Sequence, residues 1–454
     1  MLNKLLNFLE NKKIIILGYG VEGKSTYSFL RKYFPEKVLY IADKKMDLLE
    51  KSIELMEDIY LEVVLGEDYL KGIEEYDLII KAPGISLKDY NISKIENKIT
   101  NQLELFLKYV DVFTIGITGT KGKSTTSTLM YEILKNQGKK TFLLGNIGEP
   151  IFNDIDDITK DSIIVIELSS HALEFAEVSP NISILLNIYE EHLDHYKSLE
   201  KYIEAKFNIA KYQKESDYFI YNADNELIKQ YGFKYKSNDY AISLKTLDNN
   251  TANRIYLKDG YVYWNEEKIA SKDFKMNLKG EHILNNIMFI FAVCIILELD
   301  FSKVLETIEK FKSLEHRMEF VGIFDGVEFY NDSIATIPEA TINSVKAIKN
   351  VNTLIVGGKD RGVNLKSLTN FLQQSEVENI ICLPKTGEYI YEELQNSNKK
   401  MYMVNNLKDA VKIAKEVTKK DFACLLSPAA SSYGFFKNFE ERGTLFKEYI
   451  KENG

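Results

Sequence analysis

The sequence predicts an α/β protein of three units in series, each built on a parallel sheet. Three observations carry this. Short β-branched runs alternate with helical stretches along most of the chain, glycine-rich turns stand where strands end, and 454 residues exceed what one compact core accommodates, pointing to about three domains.

The first unit, residues 1–99, reads KKIIILG at 12–18, a helical stretch through Leu30, KVLYIAD at 37–43 and YDLIIKAPG at 76–84. This rhythm places ligands at the carboxyl ends of the strands. The second unit, 100–313, has VFTIGITG, KTFLLGN, SIIVIELSS and SILLNIY, then a stretch rich in Tyr, Asn and Lys over 218–275 with short β runs such as RIYLKDGYVYWN, and a helical block around 280–300. The third, 314–454, follows LEHRMEF with GVEFYND, NTLIVGG, NIICLP and FACLLSP.

Composition narrows the class. The chain is 45% hydrophobic and 28% charged with 7 prolines, as in an ordinary globular protein. Its 58 basic and 67 acidic residues give a net charge of −9 without a long basic run, which disfavours a nucleic-acid binder. Cys294, Cys382 and Cys424 form no CxxC pair and read as buried small hydrophobes in a reducing compartment. IMFIFAVCIIL at 287–297 is about half a bilayer span and reads as a core helix. The N-terminus lacks a cleavage-site pattern, so neither export nor membrane insertion is expected.

Two glycine turns carry the chemistry. Gly18, Gly20 and Gly23 follow a strand and open a helix, with Asp43 ending the next strand. This Rossmann-like geometry suits a pyrophosphate at a helix N-terminus and an acid on ribose hydroxyls, and a UDP group offers both as well as a dinucleotide does. The alternative is a structural tight turn. Ala82-Pro83-Gly84 falls on the same rim. The second turn, TGTKGKST at 118–125, resembles a phosphate-binding loop shortened by two residues between Gly119 and Gly122. Its backbone amides can line phosphates, Lys123 supplies a point charge, and the Ser124 hydroxyl can meet magnesium. Glu167, after SIIVI, stands where a strand-end acid holds a hard cation. His192 and His195 in EHLDH would make a zinc pair, but no further ligand at metal spacing completes it, and His171 reads as a polar rim residue. Lys206, in YIEAKFNIA, is by spacing a solvated helical charge; desolvated among its apolar neighbours it would titrate low and take up carbon dioxide as a carbamate.

With ILGYGVEGKS, TGTKGKST, GNIG, ELSS, EEHLDHY, EAKFNIA, GEH, EHRMEF, NDS and LSPAASSYGFFKNFEERG in order along essentially the whole chain, the sequence resembles the Mur ligases, ATP-dependent amide-forming enzymes of peptidoglycan precursor synthesis. The C-terminal stretch is most like the glutamate-adding members. The resemblance implies an N-terminal Rossmann-like domain for a UDP moiety, a central P-loop ATPase domain and a C-terminal Rossmann-like domain for the incoming amino acid. It implies a cytoplasmic, monomeric enzyme joining D-glutamate to UDP-N-acetylmuramoyl-L-alanine, with a variant using L-glutamate or another amino acid as the alternative.

Carried across residue by residue, Gly119, Thr120, Lys121, Gly122, Lys123, Ser124 and Thr125 would bind ATP phosphates, with Asn286 and Arg317 near the nucleotide and Asp332 on its ribose. Ser124 and Glu167 would hold one magnesium, and His192 and a carbamylated Lys206 a second. Val21, Glu22, Asp43, Ala82, Pro83 and Gly84 would form the UDP pocket, with Asn146 near substrate and metal. Thr336, Arg361, Ser432 and Phe439 would meet the amino acid. Three positions depart from the family: Ile334 replaces a lysine in NDSIATI, Arg361 stands for a lysine after the double glycine, and Ile283 for an asparagine after GEH. A folylpolyglutamate synthase would lack the first hundred residues, and an oxidoreductase would leave TGTKGKST unexplained.

Overall fold

The computed structural model describes the chain except residues 1, 51, 148, 191–192, 197, 248–252, 278–280, 312–314, 337, 361–364, 433 and 453–454, and the side chains at 193, 194, 281 and 339. The chain divides into two compact units, Met1–Phe311 and Lys312–Gly454.

The first unit holds two sheets. Strands β1 (Ile14–Leu17), β2 (Leu39–Asp43), β3 (Leu61–Leu65), β4 (Leu78–Lys81) and β5 (Ile99–Thr100) pair in parallel, in the order β3-β2-β1-β4-β5. All four residues of β1 are buried, as expected of a strand covered on both faces. Strand β3 escaped the sequence reading because it alternates only weakly and none of its residues is fully buried; β5 has only two residues.

The second sheet contains β6 (Phe113–Thr118), β7 (Thr141–Gly145), β8 (Ile163–Glu167), β9 (Ile182–Leu185), β10 (Tyr218–Asn222), β11 (Asn238–Ser243), β12 (Asn253–Lys258), β13 (Tyr261–Trp264) and β14 (Glu267–Ser271). Their order is β14-β13-β12-β11-β10-β9-β6-β8-β7, parallel except for β13, which runs antiparallel to both its neighbours. The Tyr-rich stretch therefore extends the central sheet. Asp259 and Gly260, at φ 49° and 79°, turn β12 into β13 through the Asp-Gly hairpin its right-handed twist favours. The apolar run predicted as a core helix lies in Glu281–Ile296 and is fully buried from Ile287 to Cys294. Among the described residues no helix is long and apolar enough to cross a membrane.

The second unit has β15 (Glu319–Phe324), β16 (Val327–Asn331), β17 (Val351–Gly358), β18 (Asn379–Lys385), β19 (Lys400–Met403) and β20 (Ala423–Leu426), in the order β15-β16-β20-β17-β18-β19, with only β15 antiparallel. One face is covered by apolar residues of Lys366–Gln374 and Thr386–Leu394, the other by those of Leu407–Val417 and Phe439–Lys451. The chain leaving β17 goes to the first face, and the chain leaving its neighbour β20 goes to the second. Such a switch point opens a crevice at the strands' carboxyl ends. All three cysteines are buried and free.

Candidate functional site

The first glycine turn leads from β1 into the helix Val21–Tyr33, whose N-cap is Gly20 and which has no side-chain cap. No side chain caps its first-turn amides, as an anion site requires. Gly23 is obligatory: a Cβ there would lie 2.0 Å from the Gly18 carbonyl oxygen. A Cβ on Gly18 would meet Ile85 at 2.6 Å and Ala82 at 3.3 Å, so the turn Ala82-Pro83-Gly84 packs directly on the first. Val21 is 78% exposed on this rim.

Asp43 accepts one backbone amide through each carboxylate oxygen, which leaves lone pairs on both for a further donor. Its Oδ2 accepts from the Tyr19 amide at 2.7 Å and its Oδ1 from the Lys45 amide at 2.8 Å. It holds the glycine turn in register with β2. Burial pushes the Glu22 carboxyl up to about 7, against the opposing pull of Lys81. Lys81 ends β4, is 3% exposed, and lies 3.7 Å from Glu174, which also accepts from His195 Nε2 at 3.0 Å. Burial lowers the Lys81 pKa, with Glu174 and then Glu22 opposing. The His195 ring meets His171 edge-on at 4.3 Å. A Lys-Glu-His chain thus runs from the first rim to the helix Leu193–Tyr196.

The second turn leaves β6 and enters the helix Lys123–Asn136, with Gly122 as N-cap at φ +86° and no side-chain cap. Its shape is held from outside. The Thr120 amide donates to Asn187 O at 2.9 Å, its hydroxyl lies 2.9 Å from Tyr202 Oη, and the Tyr189 amide donates to that hydroxyl at 3.0 Å. The Lys121 amide donates to Asn187 Oδ1, and Asn187 Nδ2 returns a bond to Lys121 O. Asn187 and Tyr202 were not singled out from sequence; the NIY step after a strand, and a tyrosine one helical turn before Lys206, were their only signals.

Two ammonium groups converge on this loop. Lys123 Nζ donates to Gly119 O at 2.8 Å and Thr120 O at 3.1 Å, and Lys206 Nζ to Gly119 O at 3.0 Å. Lys206 is 2% exposed and lies 4.9 Å over the Tyr202 ring, so the desolvated of its two readings describes its surroundings. Glu167 ends β8 in register with Ile117 and Gly145, is 1% exposed, and accepts from Asn146 Nδ2 at 2.7 Å through Oε1. Its Oε2 is buried without a hydrogen-bond partner. A buried, unsatisfied carboxylate oxygen is costly unless a cation completes it. Ser124 is buried in the first turn of Lys123–Asn136, and Asn286 packs on Gly122, where a Cβ would meet its Nδ2 at 2.7 Å. His192 lies outside the described residues. Among the described residues no group of three or more His, Cys, Asp or Glu is arranged for a metal, so His195 finds its partner in Glu174.

In the second unit, Asp332 Oδ2 accepts from Ser344 Oγ at 2.6 Å and Ser427 Oγ at 2.8 Å, and Oδ1 from the Met318 amide at 3.2 Å. Burial raises its pKa, with the hydroxyl bonds and then Arg317 opposing. Ser432 is buried, Thr336 is half-buried, and Phe439 opens the helix Phe439–Lys451, its carbonyl accepting from Ser333 Oγ at 2.8 Å. Arg361 lies outside the described residues.

Comparison with known proteins gives a consistent picture. The Mur ligase middle domain matches residues 117–294, and the Mur ligase glutamate ligase domain matches 316–430. A UDP-N-acetylmuramoylalanine--D-glutamate ligase of Clostridium kluyveri is 34% identical over 98% of both chains, and one from Clostridium botulinum is 33% identical over 99% of this chain and 98% of its own. Among solved structures, the UDP-N-acetylmuramate-alanine ligase MurC of Thermotoga maritima shares the fold, with a TM-score of 0.58 at 19% identity over 98% of this chain and all of its own. So does the MurF ligase of Thermotoga maritima in complex with ADP, at a TM-score of 0.54 and 15% identity over 97% of this chain and 95% of its own. With two curated relatives above 30% identity end to end, and with a glycine loop and a strand-end acid on neighbouring strands of one sheet and a lysine buried against that loop, the chain belongs to the Mur ligase family.

Proposed function

We propose that the chain joins D-glutamate to UDP-N-acetylmuramoyl-L-alanine at the expense of ATP; relatives that match it over nearly their whole length are named UDP-N-acetylmuramoylalanine--D-glutamate ligases. The observation that carries the chemistry is the loop itself: Lys123 and Lys206 converge on the Gly119 carbonyl beside an uncapped helix N-terminus, with the orphaned Glu167 Oε2 at the end of a neighbouring strand. This is a site for a polyphosphate and a hard cation.

A carboxylate is a poor electrophile. An oxygen of the alanine carboxylate attacks the γ-phosphorus, the bond to the ADP oxygen breaks, and an acyl phosphate forms. The glutamate amine then adds to the carbonyl carbon, loses its proton, and phosphate leaves. Lys123 and the amides of residues 119–125 hold the phosphates and offset the charge that develops on them. Asn146 orients Glu167, and Thr120, Asn187 and Tyr202 keep the loop amides aimed before substrate arrives. Glu167 and Ser124 would hold one magnesium, and His192 with a carbamylated Lys206 a second. Bound magnesium supplies charge neutralisation on the phosphoryl oxygens. Carbamylation needs a neutral Lys206 amine, which adds to carbon dioxide and releases a proton.

The division of labour follows the sequence order: residues 1–99 hold the UDP moiety, 100–313 hold ATP, and 314–454 hold the amino acid. The enzyme acts as a monomer in the cytoplasm, where ATP and its nucleotide-sugar substrate occur. The test is phosphate release from ATP with UDP-N-acetylmuramoyl-L-alanine and, in turn, D-glutamate, L-glutamate, D-aspartate and lysine. D-glutamate is expected to give the highest kcat/KM. Highest turnover with another member of the panel would move the chain to a different branch, and release with none would end the ligase reading.

A further inference from the structure

Arg442, in the first turn of Phe439–Lys451, has no exposed surface at all. A fully buried guanidinium is normally neutralised by a carboxylate. Here its bonds run to neutral oxygens: Nε to Ser333 Oγ at 2.9 Å, Nη2 to Ser333 O at 2.7 Å, and Nη1 to Ala430 O at 3.1 Å. Among the described residues no carboxylate forms a salt bridge with it, and burial alone lowers its pKa to about 10. Of the acids near it in sequence, Glu440 and Glu448 lie at the surface, and Glu441 accepts from the Lys437 amide at 2.6 Å.

The charge stands at a place built for a ligand. Arg442 lines a cavity of about 350 Å³ with Gly357, Gly358, Leu383, Ser431 and Ser432. That is the size of a small-molecule site. It opens at the carboxyl ends of β17 and β18, beside the switch between β17 and β20. The wall requires glycine: at Gly358, φ +151°, a Cβ would stand 2.6 Å from Ser431 O and 3.3 Å from Arg442 Nη1. Through its three bonds the guanidinium also ties together the segments carrying Thr336, Ser432 and Phe439, since Ser333, Ala430 and Arg442 itself belong to them. Position 334, beside Ser333, is Ile and brings no charge of its own.

We propose that Arg442 is the positioning residue that makes this unit select an amino acid bearing a second carboxylate, by fixing the Ser333 and Ala430 segments and leaving its positive charge for the ligand's distal carboxylate to offset. This rests on the ligase reading above and adds to it a source of acidic specificity. A neutral isostere entering the cavity leaves the charge buried and uncompensated, which is why it is rejected.

The test uses the full-length enzyme, with phosphate release measured at saturating ATP and UDP-N-acetylmuramoyl-L-alanine while D-glutamate or D-glutamine is varied. For Arg442→Met, KM for D-glutamate is expected to rise about 100-fold and the kcat/KM preference for D-glutamate over D-glutamine to shrink at least about 10-fold, while KM for ATP and the UDP substrate stays within about 2-fold. Arg442→Lys, which keeps the charge and loses the fork, should raise KM for D-glutamate about 10-fold yet keep the preference within about 3-fold. Equal losses for both amino acids would assign Arg442 a purely structural role and overturn the proposal. So would an unchanged KM for D-glutamate in Arg442→Met. If Arg442→Met does not fold, collapse of the preference in Arg442→Lys overturns it by itself. An inactive wild-type enzyme would instead fail the ligase reading, so the two failures are distinct.

Discussion

At the scale of the residue, the contrast between the two oxygens of Glu167 has a direct consequence. Oε1 has Asn146, and Oε2 has nothing, so Glu167→Gln keeps the volume and one bond but removes the charge a cation needs. The half-saturating magnesium concentration for phosphate release is expected to rise about 10-fold or more, with kcat down about 100-fold, read from magnesium titrations. Lys123→Ala separates the two pockets: ADP formation should fall by about 10³ or more, while calorimetric affinity for the UDP substrate stays nearly unchanged. Loss of both would break the assignment of ATP to the second turn. Glu167 and Lys123 were legible because their chemistry depends on place along a strand or loop. Asn187 and Tyr202 were not, because their bonds to Thr120 and Lys121 join residues 66 to 82 positions apart.

At the scale of the element, the loop from β6 into Lys123–Asn136 depends on a glycine at its left-handed position. Gly122 sits at φ +86°, and Asn286 occupies the space a Cβ would take. Gly122→Ala is expected to cost about 1–2 kcal/mol for the left-handed backbone, visible in thermal melting. It should also raise KM for ATP about 10-fold, since the added methyl pushes the loop and Asn286 apart. A melting temperature and KM equal to wild type would mean the loop has no unique conformation before ATP binds. The strands of this sheet were readable where both faces are buried, as in IIVIE and FTIGIT. LEVVL was missed because a half-buried edge carries little apolar pattern, and β5 because two residues are too few to show a period.

At the scale of the whole molecule, the second unit contains a pH-sensitive packing point. His316 is 4% exposed, and Asn331 Nδ2 donates to its Nδ1 at 2.9 Å, which requires that nitrogen unprotonated. The amide orientation is held by Asn331 Oδ1 accepting from the Ser333 amide at 3.2 Å. Burial lowers the His316 pKa, with Lys447 adding to this and Glu319, Glu315 and Glu440 opposing. The folded state therefore prefers the neutral ring. Its contribution to stability is full above the ordinary histidine pKa of about 6.5 and is lost as pH falls below it toward the depressed value. Melting temperatures between pH 7.5 and 5.5 should fall more steeply for wild type than for His316→Gln; parallel slopes would assign the acid sensitivity elsewhere.

What the sequence by itself determined were the class of fold, the two glycine turns and most of the residues around them, because each rests on local chemistry: strand periodicity, backbone freedom at glycine, an acid or lysine at a strand or helix end. Tertiary structure alone decided which groups are left unsatisfied. That Asp43 accepts a backbone amide through each oxygen, that Glu167 keeps one oxygen idle, and that Arg442 is buried without a counter-charge depends on residues brought together from distant parts of the chain. A carboxylate or guanidinium looks the same in sequence whether its partner is present or missing; only burial and geometry reveal a charge that awaits a ligand.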